Sequence, residues 1–269
     1  SACWPWAKKP SITSLRSEQV NLNWPVHPAI GHQQDENKPQ QPRVMRGKAW
    51  WYVLTIVIGL WVAATGANGL LPDRWAELPV NVWCLGLFGV LYRQADRKSR
   101  IEMLTVLAFA TPMELFFSEV WVIYEYQRGL MPLFVPVGHY FLFDLGRIWA
   151  ERLKTAWALP LLMPFVPLVA YGVWTGGDTS GVLLLALVVV FTMFGPQPRL
   201  YAALVWAALG MEIVGTQLGN WEWATNVPWT PLTSWNPPLL VGAFYCFGDL
   251  LVNLSVAKFE GEPPKEDIP

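Results

Sequence analysis

The chain has 269 residues, of which 53% are hydrophobic and 14% charged, with 19 Lys+Arg against 20 Asp+Glu. Its positive mean hydropathy sets it apart from a soluble globular domain of that length, and the balanced charge excludes a nucleic-acid binder driven by a net positive field. The three cysteines, without CxxC spacing, exclude a disulfide framework and a zinc site, and three histidines are too few for a membrane diiron or bis-histidine haem centre.

Residues 1–48 form a polar segment rich in Pro, Gln, Asn and Ser, without the apolar run of a signal peptide. Such a composition predicts disorder in isolation. Trp4, Trp6 and Trp24 are its candidate anchors, on partner subunits or on the chain's own loops. Apolar segments follow at 49–71, 79–92, 101–120, 131–149, 157–174, 180–195, 199–219 and 238–257. Most approach the ~20 residues a helix needs to cross ~30 Å of hydrocarbon. The second and sixth are short, so about eight transmembrane helices are expected, with seven as the alternative. The fold class is all-α, a polytopic membrane helix bundle in contact with the lipid bilayer. Residues 259–269 are a polar tail.

Basic residues fix the expected orientation. Arg43, Arg46 and Lys48 precede the first segment. Arg93, Arg97, Lys98 and Arg100 follow the second, and Arg147, Arg152 and Lys154 the fourth. Arg199 precedes the seventh and Lys258 follows the eighth, whereas the opposite loops hold only Arg74 and Arg128. The positive-inside rule then puts both termini on the cytoplasmic side of a bacterial-type inner membrane.

The chain also resembles itself at a separation of about 100 residues. Met113-Glu114 is followed by Tyr124-Glu125-Tyr126, then Val137-Gly138-His139-Tyr140 and Asp144. Met211-Glu212 is followed by Trp221-Glu222-Trp223, then Val241-Gly242-Ala243-Phe244-Tyr245 and Asp249. Residues 49–156 and 157–258 are thus read as a tandem parallel repeat of four plus four spans, related by a pseudo-twofold axis along the membrane normal.

Glu114 and Glu212 lie about 13 residues into their spans, ~20 Å from the start at 1.5 Å per residue. An ionised carboxylate there costs at least ~2.5 kcal/mol, so each should face the bundle interior and find a partner. His139 reaches nearly the same depth and could pair with Glu114, while its counterpart in the second half is Ala243. These three are the candidate catalytic residues, although a Glu–His or Glu–Trp bond could equally lock helices together. Trp121, Tyr124, Tyr126, Trp221 and Trp223, with His139, are the candidate ligand-binding residues. The same aromatics also suit an ordinary interfacial belt. Asp144 is expected to be neutralised by Arg147, three residues on along the same face. Glu119, Glu125 and Glu222 could cap a helix, bind a cation or gate an entrance.

The stretch of Glu212, Gly215-Thr216, Gly219-Asn220-Trp221-Glu222-Trp223 and the prolines up to Pro238 resembles the integral-membrane carotenoid hydratase family. That resemblance implies no metal, a protonated carboxylate that donates to an isoprenoid double bond and a second group that activates water, with Glu212 and Glu114 as the candidates. The order of membrane Glu, Trp-x-Trp element and Pro238-Leu239-Leu240-Val241-Gly242-Ala243 with Asp249 is also similar to the A subunit of copper membrane monooxygenases, which implies a scaffold subunit in a larger complex. Two functions follow as expectations. One is a membrane enzyme or binding protein for a long apolar isoprenoid or carotenoid-like ligand. The other is a non-catalytic accessory subunit of a photosynthetic, redox or copper monooxygenase complex, contacted through residues 1–48. A transporter is a third possibility. No cofactor can be named, although an imidazole at the depth of His139 could ligate a chlorin or haem iron.

Overall fold

The computed structural model describes residues 42–259. Most of residues 1–48, with Trp4, Trp6 and Trp24, and residues 260–269 therefore lie outside the described residues. Each of the eight apolar segments is helical. The helices are α1 (Pro42–Gly69), α2 (Leu78–Gln94), α3 (Arg97–Leu115), α4 (Phe134–Ala150), α5 (Ala158–Leu162), α6 (Phe165–Thr175), α7 (Gly181–Phe194), α8 (Pro198–Gln217) and α9 (Phe244–Phe259). The fifth segment is divided because Pro160, Pro164 and Pro167 cannot donate to a continuous ladder. Met163 N–H instead donates to Pro160 O at 3.2 Å and Val166 N–H to Met163 O at 3.1 Å.

Five of these stretches are long and apolar enough to cross a membrane: Lys48–Gly66, Arg97–Val120, Thr155–Thr175, Pro198–Gln217 and Val241–Phe259. Length and composition thus make this a multi-pass membrane protein. Of the remaining apolar helices, α2 and α4 have 17 residues each and α7 has 14.

The centre of the bundle is the α4–α8 pair. Its close approach depends on Gly146, where an added Cβ would stand 2.5 Å from Leu204 Cδ2. Gly242 does the same against the backbone of α8, 2.6 Å from Val205 Cα. The larger apolar core joins α1–α4 to α8, and a smaller one joins α5–α7 to α8 around Phe165, Tyr201 and Val205. Many side chains outside these cores are exposed and apolar, among them Trp174 and Phe194, as lipid-facing positions are in a membrane bundle.

Pro112 interrupts the amide ladder near the end of α3, and a π-helical turn, Phe116–Val120, follows. The turn delivers the chain into β1 (Tyr124–Tyr126), which pairs antiparallel with β2 (Trp221–Trp223) after α8. Asn220 anchors this hairpin-like cap, donating from Nδ2 to Leu60 O on α1 at 3.1 Å and accepting Gln127 N–H on its backbone oxygen at 2.8 Å.

At the opposite end of the bundle the ion pairs differ from the expected Asp144–Arg147 contact. Arg147 Nη1 pairs with Glu102 Oε2 of α3 at 2.6 Å, and Asp144 Oδ2 takes Lys48 Nζ at 2.6 Å and the Tyr52 hydroxyl at 2.8 Å, both from α1. The two residues share a helix face, but each finds a better-placed partner across a helix interface.

Candidate functional site

The strands place their residues by simple alternation. In both, the outer two side chains are buried and the middle one is exposed. Tyr124, Tyr126, Trp221 and Trp223 therefore point inward, beneath the sheet and towards the ends of α3 and α8. Glu125 and Glu222 point outward and stand opposite each other in the register. They cap no helix.

Under the sheet each inward pair meets a carboxylate from its own half of the chain. Glu114 Oε2 accepts from the hydroxyls of Tyr126, at 2.5 Å, and Tyr124. Its Oε1 lies 2.6 Å from His139 Nε2 on α4, so the expected pairing is present. Glu212 Oε2 accepts both indole N–H groups, Trp221 at 2.8 Å and Trp223 at 2.9 Å. The rings pack on one another across the strands, Tyr124 against Trp223 with centroids 4.7 Å apart and Tyr126 against Trp221 at 6.3 Å. Gly215 makes room for this arrangement, because a Cβ there would run into the Trp221 ring.

A further residue completes the chain of contacts. The Tyr245 hydroxyl lies 2.7 Å from His139 Nδ1. A carboxylate oxygen only accepts, so His139 Nε2 donates to Glu114, and Nδ1 on the far side of the ring is bonded to the Tyr245 hydroxyl. The result is a Tyr–His–Glu relay that spans the two halves of the chain.

All eight candidate catalytic and ligand-binding residues line one cavity of about 530 Å³, together with Tyr245. Apart from Thr55, the rest of its wall is mainly apolar and comes from α1, α2, α3, α4, α8 and α9, with Val106, Ala110 and Met113 on one side and Phe247 and Leu251 on another. The volume lies within the range of small-molecule sites, and the pattern of apolar walls with a few convergent polar groups is theirs as well.

No family model, curated protein or solved structure matches this chain.

Function must therefore be read from the site itself. Chemically, the relay can move a proton between Tyr245 and Glu114, while Glu212 holds a second carboxylate oxygen towards the cavity. Tyr245 was not among the sequence candidates. Its only signal is its place in the second half's Val-Gly-Ala-Phe-Tyr stretch, and nothing in that stretch tells a buried hydroxyl from a packing ring. Trp121 belongs to the wall rather than to the polar cluster, since its indole N–H goes to Pro228 O at 2.7 Å and its ring stacks on Trp229.

Proposed function

We propose that this chain is a multi-pass protein of a bacterial-type inner membrane that holds a long apolar ligand, isoprenoid or carotenoid-like, in the central cavity. Glu114, His139 and Glu212 form the polar end of that site. The observation that carries the reading is the convergence of two carboxylates, Glu212 buried and Glu114 largely so, on a cavity whose wall is otherwise mostly apolar. A carboxylate at membrane depth is costly, and close helix packing by itself does not produce a space of this size beside it. A helix lock needs neither two acids nor a void, whereas a ligand site needs both recognition groups and space.

In the same reading the bundle has eight spans with cytoplasmic termini, α2 and α4 crossing with ~26 Å of helix each at 1.5 Å per residue. The tandem repeat is supported by the strand register, which is centred on Glu125 and Glu222 and pairs Tyr124 with Trp223 and Tyr126 with Trp221. Equivalent residues of the two halves are thereby related by a local twofold.

Purification of the full chain in mild detergent, followed by solvent extraction, absorption spectroscopy and mass spectrometry, tests the proposal. An isoprenoid near one per chain is expected. Gly138 lines the cavity and a Cβ there meets nothing within 4 Å, so Gly138→Trp should fill the space, leave the fold intact and expel the ligand. Retention of the same molecule by Gly138→Trp, or the absence of any apolar molecule from the unmodified protein, would sink it.

A further inference from the structure

The hydrogen-bond inventory of the cavity's polar end is closed on one side and open on the other. Glu114 has donors on both oxygens, and His139 has a partner on each ring nitrogen. Glu212 is buried and receives both indoles on Oε2, and no donor among the described residues reaches its Oε1. The Tyr245 hydroxyl is taken up by His139 Nδ1.

We propose that the ligand of the cavity is a long-chain alcohol, a polyisoprenoid ending in one hydroxyl, and that this hydroxyl donates to Oε1 of Glu212. The inference rests on the ligand-site reading given above. A carboxylate oxygen that faces an apolar cavity without a donor is a standing cost, and a hydroxyl supplies a proton to that oxygen. A pure hydrocarbon leaves the oxygen bare. An ammonium brings three N–H groups to a wall whose open acceptor is Glu212 Oε1, and so exchanges one unsatisfied group for others. A ligand carboxylate sets like charges together in a low-dielectric site. The hydrocarbon part of the alcohol fits the apolar wall formed by α3 and α9, which runs ~12 Å from Glu114 to Val106 along α3.

The test uses the full chain in mild detergent with tritiated geranylgeraniol, displaced by unlabelled geranylgeraniol, by its methyl ether and by the hydrocarbon that ends in a methyl group. The ether and the hydrocarbon should displace at least tenfold more weakly than the alcohol, the loss expected when a buried acceptor is left without its donor. In Glu212→Gln the indoles hold the amide oxygen and an NH2 group replaces Oε1, so the ether should displace at least as well as the alcohol. Unchanged displacement by the hydrocarbon reports an intact cavity in that variant. Equal displacement by all three compounds in the unmodified protein overturns the hydroxyl docking and leaves the apolar-ligand reading standing. Absence of saturable binding by any of them overturns that reading, and this inference with it. The comparison in the unmodified protein decides the matter even if Glu212→Gln does not fold.

Discussion

Glu114 and Glu212 occupy matching places near the ends of α3 and α8, each beneath a strand whose inward aromatics bond to it, yet the two carboxylates are held differently. Glu114 has three donors spread over both oxygens, one of them an imidazole. Glu212 has two donors on a single oxygen. The cause lies in the helices that follow. On α4, His139 sits in regular helix and reaches across to Glu114. The corresponding stretch of the second half, Val241–Ala243, is a tight 3₁₀ turn, and α9 begins only at Phe244. Ala243 is fully buried in the smaller core against α8. Two similar settings thus yield a saturated carboxylate and an open one, and the difference comes from backbone geometry as much as from the residue types.

Removing the acids should break the comparison most sharply. Glu114→Leu leaves two tyrosine hydroxyls and an imidazole N–H without their acceptor, whereas Glu212→Leu leaves two indole N–H groups. At roughly 1–3 kcal/mol for each buried unsatisfied donor, Glu114→Leu is expected to destabilise by about 3 kcal/mol or more and Glu212→Leu by about 2 kcal/mol. Fluorescence-detected gel filtration after graded heating ranks them. If Glu212→Leu proves the more damaging, the view of Glu212 as the less committed carboxylate is wrong.

Gly215 sharpens the second half alone. A methyl group there meets the Trp221 ring, so Gly215→Ala should cost about 1–3 kcal/mol through overpacking and pull Trp221 away from Glu212. The cause is checked by a double-mutant cycle with Trp221→Ala. Once the ring is gone, Gly215→Ala should cost close to nothing, and additive effects would show that the glycine serves some other contact.

The helical architecture was legible because its signals are local: runs of apolar residues, prolines, and basic residues at their ends. Much of the site was legible as well, since a Glu inside an apolar run and a Tyr-x-Tyr or Trp-x-Trp element stand out by chemistry and by their recurrence. What the sequence withheld were partners fixed by tertiary geometry. Arg147 chose Glu102 over its helix neighbour Asp144, and Tyr245 found His139 from 106 positions away. Glu125 and Glu222 turned outward because strands alternate about the sheet plane, and the antiparallel pairing of β1 with β2 could not be read from two isolated triplets.

The smallest contrast between the halves lies at the starts of the two acid-bearing helices. Asp96 caps α3, its Oδ1 accepting Ser99 N–H at 2.8 Å, while Gln197 begins α8 without a side-chain cap and with Pro198 at the first position. Hydrogen bonds from Ser99, with smaller help from nearby Lys98 and Arg100, hold the Asp96 carboxyl below its ordinary range. Asp96→Ala should therefore cost about 1 kcal/mol near neutral pH. A group whose folded value is depressed contributes stability that is complete above its unfolded value, about 3.9, and is lost as pH falls through the folded one. The gap in thermal midpoint between Asp96→Ala and the unmodified protein should accordingly narrow as pH is lowered from 7 towards 3. The change is modest, because Asp96 is exposed and its charge is screened. A gap that stays constant over that range would mean that the cap acts through helix geometry rather than through charge, and that α3 and α8 begin on more nearly equal terms than their first residues imply.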